Sequence, residues 1–503
     1  MSDYFPEALG NNYSFPVRTI LNAAQNVAWN ELNEPLAQAN IPYCYGEYKL
    51  CDYDEPLTNL KWGMNNEGIE QMKSFLAALL FQLRNRLLYE NAILENTQII
   101  RFYPKSMPYG HAQEMSRVWE NLYKRYFGGD PLRNVNTLME SLAPFYYYCR
   151  RENANGRFLC IDIGGETTDV VFAREQGKPV FVTSFRFASG ALYGDGYNRW
   201  ITNNGFVQYF TPRVREAIQR INTSTHRGVS PDLVAVLEQI YARGNSMDML
   251  NYFFSLHKKT DDVVDFASML LENLQFRAVY VVYFGAIVYH LAQMLKSEKM
   301  TREEALEYMP QAIAFTGNGS RAFDILDRSR ERKALQLFAQ SIFEYVLEEK
   351  VKNDARIILE ENPKEKLCEG GLLEHADIDG DKITLILLGD REMTRITETS
   401  HLHFSDVTDE QIASILGNVD DFYAMLLSAM DGRFSYDRYF DIDCRRALFE
   451  QLEIERKSPL LLQDLRTAIR TRGGEAGEIE ISETFFFFPI IGSLSVIAER
   501  LAK

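Results

Sequence analysis

Apolar positions recur at helical spacing through residues 66–90, where Ile69, Met72, Phe75, Leu76, Leu79, Leu80, Leu83 and Leu87 share one stripe. That pattern predicts a long amphipathic helix. Helices are also expected over 111–127, 135–149 and 331–353, and over most of 196–310 around a hydrophilic stretch at 222–231. Short apolar runs bounded by turn residues predict strands at 13–21, 97–103, 157–163, 169–173, 180–187, 311–316, 355–360 and 382–389. Gln176-Gly177-Lys178-Pro179 separates two of these by a tight turn, which implies antiparallel neighbours. Strands alternating with helices give an α/β class, in which ligands sit at strand ends. The sequence carries no internal repeat and no low-complexity tract.

Residues 278–295 are almost wholly apolar and reach the lower length limit for a membrane span. His290, Gln293 and three tyrosines inside the run make a buried core helix the better reading, so no span is expected. The run at 485–491 is too short to span and contains Pro489. The aromatic clusters Phe145-Tyr146-Tyr147-Tyr148 and Phe485 to Phe488 read as core.

Composition narrows the function classes. The 503 residues suggest about three domains. Lys plus Arg is 54 against 70 for Asp plus Glu, a net charge of −16 with no long basic tract. Nucleic acid is therefore disfavoured as a partner, because phosphate binding needs clustered cations. An acidic chain can still hold a local phosphate on backbone N–H groups. Six cysteines form no CxxC pair and Met1 to Pro6 has no secretory pattern, so reduced thiols and a cytoplasmic location are expected.

Two segments carry chemistry. In Cys160-Ile161-Asp162-Ile163-Gly164-Gly165-Glu166-Thr167-Thr168-Asp169, an apolar strand delivers a carboxylate to its end. The two glycines then allow a sharp turn whose N–H groups approach an anion. Thr167 and Thr168 add hydroxyl donors, and Asp162 suits a water-bound Mg²⁺. Ala314-Phe315-Thr316-Gly317-Asn318-Gly319-Ser320 repeats the strand, glycine turn and helix, with Asn318 tolerant of a left-handed backbone. His401-Leu402-His403 has metal-pair spacing but no third ligand near in sequence. Ser141, Ser189 and Ser320 lack a nucleophile elbow.

This order resembles the actin-like ATPase superfamily: actin, the DnaK-type heat-shock chaperones, sugar kinases, and the bacterial filament and cell-division actins. Asp162, Gly164, Gly165, Thr167 and Asp169 match its second phosphate loop, D-x-G-G-x-T-[TF]-[DE], with Glu166 where a third glycine is usual. Met139-Glu140-Ser141-Leu142-Ala143 resembles the N-E-P-T-A-A element, with Ser141 in place of proline. Leu192 to Asn198, including Gly194, resembles the L-G-G-E-D-F-D turn. Gly317, Asn318, Gly319 and Ser320 resemble the adenosine motif, with one glycine replaced. Asn362-Pro363 through Gly371 resembles the segment that crosses back between domains. Leu60-Lys61-Trp62 resembles the segment with a phosphate-facing lysine, though Lys61 also reads as an ordinary surface lysine.

The resemblance covers about residues 13–372. It implies a two-lobed, ribonuclease H-like α/β fold with a nucleotide cleft, a helical insertion and a C-terminal extension. Residues 1–155 would be domain I and 156–330 domain II, with the insertion at about 200–300. Residues 331–375 would return to domain I, and 376–503 would form the extension, its last helix packing on domain I. The cofactors implied are ATP or ADP and Mg²⁺. Asp162 would serve the metal through water and Glu140 would orient the attacking water. Gly164, Gly165, Thr167, Thr168 and Lys61 would face phosphate, and Gly317 to Ser320 the adenosine side. The family's first phosphate hairpin, D-x-G-[ST], has no match before Ser14. Either that hairpin lies upstream in a longer polypeptide, or the chain is a pseudo-ATPase. The expected function is a Mg-dependent ATPase working as a conformational switch or assembly factor, with a protein partner or self-association. A non-catalytic scaffold is the alternative, and a small-molecule kinase ranks third.

Overall fold

A computed structural model describes residues 21–24, 29, 39–40, 54–57, 60–63, 65–151, 156–175, 178–197, 199–224, 233–260, 263–297, 309–350, 355–359, 363–374, 384–397, 401–428, 432, 434–442, 444–474 and 477–503. Most of the strand expected at 13–21 lies outside these residues. Leu21 opens β1 (Leu21–Ala24), which sits between β2 (Ala39–Asn40) and β3 (Asp54–Leu57) in an antiparallel sheet.

The helix expected at 66–90 is α1 (Asn66–Tyr89), capped by Asn65, whose side chain accepts from the Gly68 amide at 2.8 Å. After β4 (Ile99–Tyr103), α2 (Tyr109–Phe127) ends on Gly128 at φ +77°. The two helices meet through Met72, Leu76, Met115 and Leu122. The single helix expected over 135–149 is corrected. Val135–Met139 is a strand, β5, parallel to β4, and only then does α3 (Leu142–Arg151) begin. Val135 and Thr137 are β-branched, and β4 lends this segment a ladder partner.

The central sheet holds β6 (Phe158–Ile163), β7 (Thr168–Glu175), β8 (Lys178–Phe185), β9 (Ala312–Thr316) and β10 (Arg356–Leu359). Their order is β10-β9-β6-β7-β8. β10, β9 and β6 run parallel, while β6, β7 and β8 are antiparallel neighbours, as the short connections imply. The turn at Gln176-Gly177 lies outside the described residues. Of the strand expected at 382–389, the described residues form a bridge from Thr384 to Val182 and a two-residue pairing at Ile386–Leu387.

Both faces of the sheet are covered. Phe158, Cys160, Val171 and Ala314 pack on Phe145 and Tyr148 of α3, and Leu159, Ile161, Val170 and Phe172 join the larger core. Two-sided burial explains why these strands read as continuous apolar runs. That larger core is built from α4 (Ser189–Tyr193), α5 (Gly205–Ser224), α6 (Leu233–Ala242), α7 (Ser246–Lys259), α8 (Phe266–Glu272) and α9 (Arg277–Ser297). Among the described residues, α9 is the one helix long and apolar enough to cross a membrane, and residues 278–295 are buried in the protein.

α10 (Lys333–Leu347) packs on α9, and α11 (Pro363–Leu373) on α3. The α11 contact is close: a side chain at Gly370 would strike the Ala143 carbonyl. The C-terminal region adds α12 (Asp409–Leu427), α13 (Glu450–Arg456), α14 (Leu460–Gly473) and α15 (Phe487–Ala502). The sequence expectation for the last helix is packing on domain I, residues 1–155 with the return segment 331–375. α15 lies against α5, α9 and α14, and its Phe487 stacks on Phe185 and Phe187 with ring centroids 4.4 Å apart. Its buried face of Ile490, Leu494 and Ile497 finds its apolar complement beside the central sheet.

Candidate functional site

Four strands change character together at one end of the sheet. Asp162 on β6 is in register with Asp169 on β7 and Thr316 on β9, and Asp169 with Ser184 on β8. Two residues back on the same face the row reads Ala314, Cys160, Val171 and Val182, all packed towards α3. The apolar floor thus turns polar in one step, and the four polar residues are buried. Asp162 and Asp169 are like charges directly opposite each other. Burial pushes the Asp169 carboxyl well above the usual range; Glu140 pushes it further, Lys61 pulls it back, and Asp162 adds to the rise. Ser184 donates to Ser106 Oγ at 2.9 Å. Asp169 Oδ1, Thr316 Oγ1 and Ser141 Oγ are buried with no hydrogen-bond partner among the described residues.

Lys61 and Glu140 face this row. The Glu140 amide donates to Tyr103 O at 2.9 Å, which fixes it at the end of the β4–β5 pair. Its carboxylate accepts from Lys61 Nζ at 2.6 Å. His111 Nε2 bonds the Lys61 carbonyl at 2.7 Å. Lys61 is therefore held in place beside Glu140 and is not a loose surface lysine. When ionised, Asp162, Asp169 and Glu140 outnumber Lys61 by two charges. Magnesium is gripped through one or two carboxylates while keeping most of its waters, so two opposed carboxylates at a polar strand end suit it. The described residues contain no group of three side chains that would ligate a metal directly.

The first glycine turn joins β6 to β7. The Gly164 amide donates to Thr167 O at 2.8 Å. The carbonyls of Gly164 and Gly165 are taken from inside by Ser189 and Gly190, with the Gly190 amide 2.7 Å from Gly165 O. The amides of Gly165 and Glu166 donate to no acceptor among the described residues, and both residues are exposed. Neither glycine of this turn is left-handed. A Cβ on Gly164 would lie 3.3 Å from Thr167 O, whereas one on Gly165 would meet nothing within 4 Å. The expectation that both glycines serve a sharp turn therefore fits Gly164 alone.

The second turn does need its glycines. Gly317 has φ +72° and ψ 152°, and a Cβ there would strike Asp162 Oδ1 and Ile163 O. A Cβ on Gly319 would lie 2.6 Å from Gly164 O, so the two turns pack against each other. Asn318 is not left-handed; Gly317 takes that role. The helix expected after the turn is a 3-10 helix, Asn318–Ile325.

Several expected ligands are engaged elsewhere. Thr168 Oγ1 is buried and donates to Phe187 O at 2.6 Å. Ser320 Oγ is buried and donates to Gly317 O at 2.7 Å. Gly194 ends α4, its amide 2.9 Å from Gly190 O, one helical turn from the first glycine turn. All three bond within the fold, beside the two glycine turns. The structure gathers Lys61, Glu140, Asp162, Gly164, Gly165, Thr167, Gly317 and Gly319, with Asn318 half-buried on the second turn. His401 bonds Glu480 at 2.9 Å, and His403 pairs with Asp406.

Sequence reasoning missed Ser106, Ser184, Arg186, Arg472 and Glu483, and gave Trp62 and Thr316 no role within the motifs that contain them. Arg186 follows Phe185, the register partner of Thr168, so it stands beside the first turn. Its guanidinium lies 3.8 Å from the Trp62 ring centroid. Its amide donates to Glu483 Oε2 at 2.9 Å, and Arg472 bonds Glu483 Oε1. Ser482 Oγ donates to Ser106 O at 3.0 Å. Alternation of Ser184 and Arg186 with Phe185 and Phe187 was the one local signal available.

No family model matches the chain, and no curated protein matches it. Among solved structures it is similar to MreB5 of Spiroplasma citri bound to ADP, at 14% identity and TM-score 0.33, over 70% of this chain and 87% of that one. MreB 5 of Spiroplasma citri bound to AMPPNP gives 12%, 0.32, 70% and 87%. A non-polymerising MamK mutant bound to AMPPNP gives 12%, 0.30, 70% and 89%.

Proposed function

We propose that the chain binds an adenine nucleotide with Mg²⁺ between the polar strand ends and the Lys61–Glu140 pair, and that it works as an actin- or DnaK-like ATPase switch. One observation carries this reading: two glycine turns, packed on each other, leave adjacent parallel strands beside two opposed carboxylates. The free amides of Gly165 and Glu166 hold phosphate, and Gly317 and Gly319 seat the adenosine side. Asp162, through water, and Asp169 would hold Mg²⁺, which would supply charge neutralisation at the phosphates. Glu140 orients a water in line with the terminal phosphate and takes its proton, while Lys61 fixes the Glu140 carboxylate. The new P–O bond replaces the bridging one, and ADP and inorganic phosphate leave. The change in cleft closure is then read by a protein partner or a second copy of the chain.

Calorimetric titration of ATP and ADP, with and without Mg²⁺, tests this. Binding that strengthens with Mg²⁺ and loses that dependence in Asp162→Ala is expected. Equal affinity in the mutant overturns the assignment. Glu140→Gln is expected to bind ATP and to release phosphate about a hundredfold more slowly. The 2.6 Å Lys61–Glu140 pair favours a second reading, a non-catalytic scaffold, since it engages the water-orienting carboxylate. ATP binding without any phosphate release would identify that case.

A further inference from the structure

Beside the first glycine turn lies a cationic cluster that the reading above does not use. Arg472 is satisfied: it bonds Glu483 and the Arg186 carbonyl, and stacks on Phe488 at 4.5 Å. Arg186 is not. It rests on Trp62, and among the described residues its one ion pair is with Glu483 at 3.9 Å and its buried Nε has no hydrogen-bond acceptor. Glu483 already serves Arg472 and the Arg186 amide, so one carboxylate is shared by two guanidinium groups. Burial lowers the Arg186 pKa, Glu483 raises it, Arg472 lowers it and Glu166 raises it again. Glu166 thus acts on both arginines from the tip of the turn. Its carboxylate folds back against Gly190, with Oε1 3.3 Å from where a Cβ on that glycine would sit. A negative group therefore lies against Gly190, on the same turn as two free amides and within electrostatic reach of an under-neutralised cation.

We propose that Arg186 and the amides of Gly165 and Glu166 form one anion seat, and that the Glu166 carboxylate guards it. The terminal phosphate of an entering nucleoside triphosphate displaces that carboxylate and takes Arg186 as its counter-ion. The identity of the anion rests on the nucleotide reading; the seat itself does not. A guanidinium meets phosphate through two parallel N–H bonds, and a terminal phosphate brings more negative charge to them than a single carboxylate does.

The test titrates ATP, inorganic tripolyphosphate and adenosine into the full chain and into Glu166→Gln, Arg186→Ala, Arg186→Lys and the Glu166→Gln/Arg186→Ala pair. Glu166→Gln keeps the turn and removes the charge, and it is expected to tighten ATP and tripolyphosphate about fivefold. Arg186→Ala is expected to weaken both about ten- to hundredfold, with Arg186→Lys in between. Adenosine should be unaffected, and the gain from Glu166→Gln should vanish in the double variant. If Arg186→Ala does not fold, the Glu166→Gln and Arg186→Lys titrations decide. ATP binding that neither variant changes overturns the seat and leaves the nucleotide reading standing. Tripolyphosphate binding that follows both variants, with no ATP binding, keeps the seat and removes the nucleotide. No binding of either anion to any form overturns both.

Discussion

At Gly317 an added methyl group would strike a carboxylate and a carbonyl, in a backbone region that side chains avoid, whereas at Gly165 it would meet open space on an ordinary backbone. The two turns look alike as sequence, each a strand followed by two closely spaced glycines. In the folded chain the second is a packing device that holds Asp162 and the first turn in place. The first is held from behind by Ser189 and Gly190 and keeps its outer amides unused. The protein's own packing therefore requires glycine at 317 and not at 165.

Gly317→Ala separates the turns most strongly. Backbone strain and steric conflict together should cost about 3 kcal/mol or more, read as a lower urea midpoint with an unchanged slope. A buried carboxylate seated on a glycine recurs where Asp464 lies against Gly492. Burial raises Asp464 to about 6, with Arg199 pulling it back and Glu455 pushing it up. The folded state therefore holds this proton more tightly than the unfolded one. Stability should fall by roughly 2 kcal/mol as pH rises from about 4 to 6, and Asp464→Asn should remove that fall in thermal scans. Next come Thr168→Val and Ser320→Ala, which strip buried carbonyls of a hydroxyl donor. Each should cost about 1 kcal/mol while leaving nucleotide affinity unchanged by calorimetry. Smallest in stability is Gly165→Ala, within about 0.5 kcal/mol of the parent or slightly above it. Its affinity for ATP should nevertheless drop; an unaltered affinity would break the contrast between the turns.

Much of this was legible locally. Asp162 and its two glycines announce themselves at the end of an apolar strand, and Glu140 and Lys61 lie in short segments whose place in a pattern fixes them. The polar row was half visible, because Asp162 and Asp169 flank the turn symmetrically, but Thr316 and Ser184 join it only through sheet register. β5 was misjudged because its preference for a strand is realised only against β4. Glu483 reaches the Arg186 amide across 297 residues, and nothing in either neighbourhood signals that pairing. The docking of α15 is likewise decided by which apolar face is uncovered, a property of the assembled core.

The stacking of Arg186 on Trp62 has an optical consequence. Among the described residues, Trp62 is the tryptophan with a guanidinium centred over its ring, while Trp200 stands 73% exposed to solvent. A cation held against an indole alters its excited state, so intrinsic fluorescence reports where that cation is. Any event that draws Arg186 off the ring changes the brightness and colour of Trp62, and the chain carries its own unlabelled gauge of the site.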